Sequence, residues 1–142
     1  MGTSPLIVRR DRQGQNLHDT VISFLARHWH NPSKYNIATN PGPEKNRWVG
    51  SEQNYPDIVG WVQDISSQRA VWIAEVETSG SVTDDEARHQ WAKYLSTGVA
   101  LHLVVPAGYG RAAKALAIKL KLAVAGFYEF SFSNGQLVLG QV

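Results

Sequence analysis

The sequence predicts an α/β protein in which a mixed sheet is flanked by helices. Three observations carry that expectation. Apolar residues recur with helical spacing in three segments and as alternating or β-branched runs in six others. The 142 residues are 43% apolar and include five Trp, five Tyr and four Phe, enough for one sizeable core. Gly, Pro and Asn gather between the segments, as turns require. No repeat or low-complexity tract interrupts this order, so residues 1–142 are read as a single domain.

The elements follow in turn. Residues 16–30 place Leu17, Val21, Phe24, Leu25 and His28 on one helical face, with Asn16 as N-cap. From 31 to 55 the chain turns polar and Pro/Gly-rich around a short strand at 35–39, the kind of long stretch that often carries function. Residues 57–62 and 70–78 are rich in β-branched and aromatic side chains and read as a hairpin across the polar turn 63–69. Thr83 followed by Glu86 is a capping-box signature, and Ala87, Trp91, Tyr94 and Leu95 give the stripe of a helix reaching about Thr97. A strand at 101–105, a Pro/Gly turn, a helix at 111–123 and a hairpin of 127–132 with 136–139 about Asn134-Gly135 complete the chain.

Composition removes several function classes. With 18% charged residues and this aromatic content the chain is not wholly disordered. Zero cysteines exclude a disulfide scaffold, thiolate metal sites and cysteine nucleophiles. No window approaches the ~18 apolar residues of a membrane span, and the opening MGTSPLIVRRDRQGQ lacks a signal-peptide core, so a cytoplasmic protein with no membrane partner is expected. A net charge of +2 is too small to attract nucleic acid without local clustering. Phosphate-loop, zinc-protease and nucleophile-elbow motifs are missing from the sequence.

In the strand 70–78, alternation puts Val71, Ile73, Glu75 and Glu77 on one face and Trp72, Ala74 and Val76 on the other. Two carboxylates beside a core repel and resist desolvation, which a hard divalent cation relieves. Asp57 opens the preceding strand after Pro56, and hairpin pairing brings it alongside Glu75. The plain structural reading is a pair of solvated carboxylates on an open strand edge.

Pro56-Asp57 followed by Glu75-Val76-Glu77 resembles the PD-(D/E)xK nuclease superfamily. Gln90-Trp-Ala-Lys-Tyr94 is similar to the QxxxY element of its RecB-like members, and Gly14 with His18 to their GxxxH motif. The resemblance spans roughly residues 14–105 and implies the restriction-endonuclease-like αβββαβ core, here with an extra helix and a C-terminal hairpin. It departs at Glu77, where a Lys is usual, giving the acid-x-acid version found in some restriction-endonuclease branches. What the resemblance implies is a DNA endonuclease using Mg²⁺ or Mn²⁺ held by Asp57, Glu75 and the Val76 carbonyl, with His18 as an added ligand. Glu77 then orients or deprotonates the attacking water or binds a second metal, and Gln90 contacts that water, a phosphate or a metal-bound acid.

A helical wheel turns His18 towards the sheet and Asp19 outward, leaving Asp19 as the substitute acid if the helix is rotated. Tyr94 is read as mainly core. Lys34, Lys45, Arg47, Trp48 and Lys93 are the expected nucleic-acid contacts, cations for phosphates and an aromatic for stacking, joined by a basic patch at Arg9, Arg10 and Arg12. By analogy with small nucleases the partner is DNA and the assembly a homodimer. Two competitors stand beside this reading: a nucleic-acid-binding module of the same fold with a decayed site, and an interaction protein of unrelated α/β fold whose acids are only surface.

Overall fold

The computed structural model describes residues 12–50 and 54–142. The basic residues Arg9 and Arg10 lie outside them. Six strands form one mixed sheet in sequence order: β1 (Asn36–Thr39), β2 (Ile58–Gln63), β3 (Gln68–Val76), β4 (Ala100–Pro106), β5 (Gly126–Ser133) and β6 (Gln136–Gln141). β1, β2 and β3 are antiparallel, β3, β4 and β5 run parallel, and β6 returns antiparallel. Parallel neighbours need crossovers. The helical run of residues 84–95, called α2, supplies the first, and α3 (Gly110–Lys119) supplies the second.

Alternation sorts the apolar residues into two layers. Val59, Ile73, Leu101, Leu103 and Val105 pack with Ala87, Trp91 and Tyr94 of α2 and Ala113 of α3. Ile58, Ala74, Val76 and Val104 face the other way and meet Val21, Ile22 and Leu25 of α1 (Arg12–His28). The α/β expectation of a mixed sheet with helices on both faces holds, and no helix among the described residues is long and apolar enough to cross a membrane.

Several local expectations are corrected. Helix α1 begins at Arg12, so Asn16 is an exposed interior residue and not the N-cap. His28 is exposed and stacks on Phe24 at 5.3 Å instead of facing the core. β3 ends at Val76, one residue before Glu77, because the β2–β3 ladder stops where the Asp57 carboxylate takes the Val76 N–H at 2.7 Å. α3 ends at Lys119, four residues early. Lys121 takes φ +58° and donates to the Ile118 carbonyl while Leu122 donates to that of Ala117, a Schellman stop built without glycine. At the final hairpin Asn134 (φ +54°) and Gly135 (φ +78°) adopt the left-handed pair that the Asn-Gly signal predicts.

Candidate metal centre

The acids collect where β2 begins and β3 ends. Asp57 stands immediately before β2 and is saturated on its main chain: its N–H donates to Glu75 Oε2 at 2.7 Å, and its carbonyl accepts from Asn40 N–H at 3.0 Å. Its Oδ2 accepts from the Val76 N–H and faces His18 Nε2 at 3.0 Å. His18 Nδ1 lies 3.2 Å from Asp19 Oδ1, so the imidazole sits between two carboxylates. Both expected residues are therefore in place, but His18 spends Nε2 on Asp57. The contact orients that carboxylate.

Glu75 and Glu77 point from the end of β3 towards α2. Both are buried. Burial holds the Glu75 carboxyl well above its ordinary range, with Asp57 and then Glu77 adding repulsion. Glu77 is pushed up from 4.5 to about 8 by burial, with Glu86 repelling it, against opposing hydrogen bonds from Ser81 and Trp91. Ser81 Oγ lies 2.5 Å from Oε1, and the Trp91 indole donates to Oε2 at 3.0 Å.

α2 explains why Trp91, and not Gln90, meets the acid. The run opens as an α-turn at Asp84–Glu86, widens to a π-turn at Ala87–Trp91 and closes as α at Ala92–Leu95. The Ala92 N–H reaches back five residues to Ala87, so the wider turn sets the residues after it back around the helix axis relative to a regular α-helix. The indole of Trp91, fully buried, occupies the position over Glu77. Gln90 is half-buried on the same turn, and the hydrogen bonds to Glu77 come from Ser81 and Trp91 instead. Tyr94, one turn on, is buried among Glu75, Asp57, Glu86 and Glu77. Burial first and those charges second push its hydroxyl upward, which keeps it a neutral donor.

Glu75, Glu77 and Glu86 each present a carboxylate oxygen within 4.8 Å of the other two. Around an octahedral Mg²⁺ at its 2.0–2.1 Å bond length, opposite oxygens stand about 4.2 Å apart and adjacent ones about 2.9 Å, and at most one pair among three ligands is opposite, so the carboxylates close up by side-chain rotation when the ion binds. Each Glu77 oxygen keeps a second lone pair beside its hydrogen bond. The donor set is all oxygen, as a hard cation prefers, and the described residues put no Lys or Arg in an ion pair with Asp57, Glu75 or Glu77. These residues fit a divalent ion. The set differs from the expected one: Glu86 enters, Asp57 stands beside Glu75 through its N–H, and Val76 contributes the N–H bound by Asp57 while its side chain fills the α1-facing core.

The expected nucleic-acid contacts are not gathered. Lys34 and Lys45 are exposed on the long polar stretch, Lys45 5.6 Å over the Tyr55 ring. The Arg47 guanidinium stacks 4.0 Å over Trp61 and donates to Gln68 at 2.7 Å, at the far end of the β2–β3 hairpin from Glu75. Trp48 is half exposed beside it in a groove with Thr97 and Val99. Lys93 lies 5.2 Å over the ring of Tyr94, which is itself buried among the acids.

Asn40 is the residue sequence reasoning missed. Its Nδ2 donates to the carbonyls of Pro56 (2.6 Å) and Arg47 (2.9 Å), and its Oδ1 accepts from the N–H groups of Asn46 and Arg47. It pins the loop 40–47 to the peptide that carries Asp57. The Gly42 N–H completes the brace by donating to Asp19 at 3.1 Å. Comparison with models of protein families, with curated proteins and with solved structures gives no match.

Proposed function

We propose that the protein is a metal-dependent DNA endonuclease with a restriction-endonuclease-like core, which hydrolyses phosphodiester bonds with Mg²⁺ or Mn²⁺. The observation that carries this reading is the convergence of Glu75, Glu77 and Glu86, whose carboxylate oxygens lie within 4.8 Å of one another, with the Asp57 N–H bound to Glu75 beside them. The order αβββαβ around that site and the hairpin approach of Asp57 to Glu75 support it.

In this reading Glu75, Glu77 and Glu86 hold the ion, and Asp57, fixed by His18, Val76 and Asn40, sets the position of Glu75. When bound, the ion polarises a phosphoryl oxygen and lowers the pKa of a coordinated water. Glu77, with its carboxyl near 8 in the metal-free protein, is matched to exchanging a proton with water close to neutral pH. Tyr94 is a neutral donor for a phosphate oxygen, and Lys93 is the closest of the expected cations to developing charge. Two copies serve the two strands of a duplex.

Supercoiled plasmid nicking in Mg²⁺ or Mn²⁺ tests this. Wild type cuts, and Asp57→Asn, Glu75→Gln and Glu86→Gln each reduce the rate by at least a hundredfold. Cutting that persists in all three removes the assignment. One observation favours a second reading, a nucleic-acid-binding module without cleavage: Glu77 stands where a Lys is usual, and among the described residues no Lys or Arg is in an ion pair with it. Salt-sensitive DNA binding by wild type without any nicking selects that module.

A further inference from the structure

On the α1 face of the sheet, opposite the side taken by Glu75 and Glu77, five aromatic side chains line a cleft of about 230 Å³: Trp29, Tyr35, Trp72, His102 and Tyr128. Four of them close a ring. Trp29 meets Trp72 at 5.6 Å, Trp72 meets His102 at 6.4 Å, His102 meets Tyr128 at 6.0 Å and Tyr128 returns to Trp29 at 5.6 Å. Tyr35 stands on the fifth side, 5.3 Å from Trp72, held by its hydroxyl donating to the Trp29 carbonyl at 2.7 Å. The planes of adjacent rings meet at 44° to 86°, so ring faces approach from several directions as around a rounded group.

The backbone makes room for this arrangement at a cost. Strand glycines are unfavourable, yet two lie under the rings. A Cβ on Gly60 would stand 2.2 Å from the Trp72 indole, and one on Gly126 would stand 2.9 Å from His102 Nδ1 and 3.3 Å from the Tyr128 ring. His102 Nδ1 is buried with no hydrogen-bond partner, and burial lowers the imidazole pKa, so the ring stays neutral.

We propose that this cleft binds a quaternary ammonium head group. Electron-rich ring faces attract a cation. None of the five lining residues is a carboxylate, and none is Lys or Arg. An ammonium bearing N–H groups would give up several water bonds there, with the unpartnered His102 Nδ1 able to replace one of them, whereas a quaternary nitrogen has none to lose. The volume is below the roughly 300–1,000 Å³ of drug-sized sites, which fits a head group and not a whole cofactor.

Titration of the full chain with choline, followed by tryptophan fluorescence, tests the proposal against two other probes. One is the uncharged carbon isostere dimethylbutanol, and the other is a peptide carrying trimethyllysine. Choline or the peptide gives a saturable change, the isostere binds at least tenfold more weakly, and Tyr35→Leu weakens the cation at least fivefold. Tighter binding of choline identifies a free small molecule as the source, and tighter binding of the peptide identifies a methylated side chain. Equal binding of the isostere, or no response to either cation, overturns it. Should Tyr35→Leu fail to fold, the wild-type comparison of cation with isostere still decides.

Discussion

Replacing Glu77 by Gln isolates the electrostatic strain of the acid cluster. In the folded, metal-free protein this carboxyl holds its proton up to about 8, whereas in the unfolded chain it ionises near 4.5. Between those values the unfolded state binds fewer protons, so stability falls as pH rises. The loss is 1.36 kcal/mol per pH unit, which over the interval from 4.5 to 7 comes to about 3 kcal/mol from this one group, a large share of a typical 5–15 kcal/mol. Glu77→Gln removes the ionisation and keeps both hydrogen bonds, since the amide can donate to Ser81 Oγ while its oxygen accepts from the Trp91 indole. Urea denaturation in EDTA is the assay. At pH 7 the variant is more stable than wild type by about 3 kcal/mol, and near pH 4.5 the two coincide. A difference that does not change with pH, or a variant less stable at pH 7, refutes the reasoning.

Three further outcomes follow from particular contacts. Mn²⁺ raises the melting temperature of wild type in a concentration-dependent way, and Glu86→Gln abolishes the rise without unfolding the protein, as differential scanning fluorimetry will show. Asn40→Ala strips partners from two carbonyls and two N–H groups around the loop 40–47 and costs about 3 kcal/mol in urea denaturation. Gly60→Ala drives a methyl into the Trp72 indole and destabilises by about 1–3 kcal/mol, read as a lowered thermal midpoint.

The order of elements along the chain was legible because each strand announces its own period. The approach of Asp57 to Glu75 followed from that period and a hairpin, and the structure brings them within one hydrogen bond. Glu86 was hidden by a sufficient local explanation. Thr83 Oγ1 does accept its N–H at 3.2 Å, so a capping role accounted for the residue before any tertiary contact was considered. The same holds for Asp84-Asp85-Glu86 as an acidic run at a helix start. Gln90 came from the QxxxY resemblance, whereas the 3.6-residue spacing already places Trp91 on the buried stripe, where the structure sets its indole on Glu77. Asn40 resembled any polar loop residue, since its four side-chain bonds all go to main-chain groups that no sequence pattern encodes. Arg47 and Trp48 followed composition, and the structure packs them against the far end of the β2–β3 hairpin.

Anomalous diffraction from a Mn²⁺-soaked crystal measures the central claim most directly. The account predicts a peak bonded to oxygens of Glu75, Glu77 and Glu86, absent from the Glu86→Gln protein. A fully formed wild-type site without a peak at saturating Mn²⁺, or manganese bound only elsewhere on the surface, contradicts it.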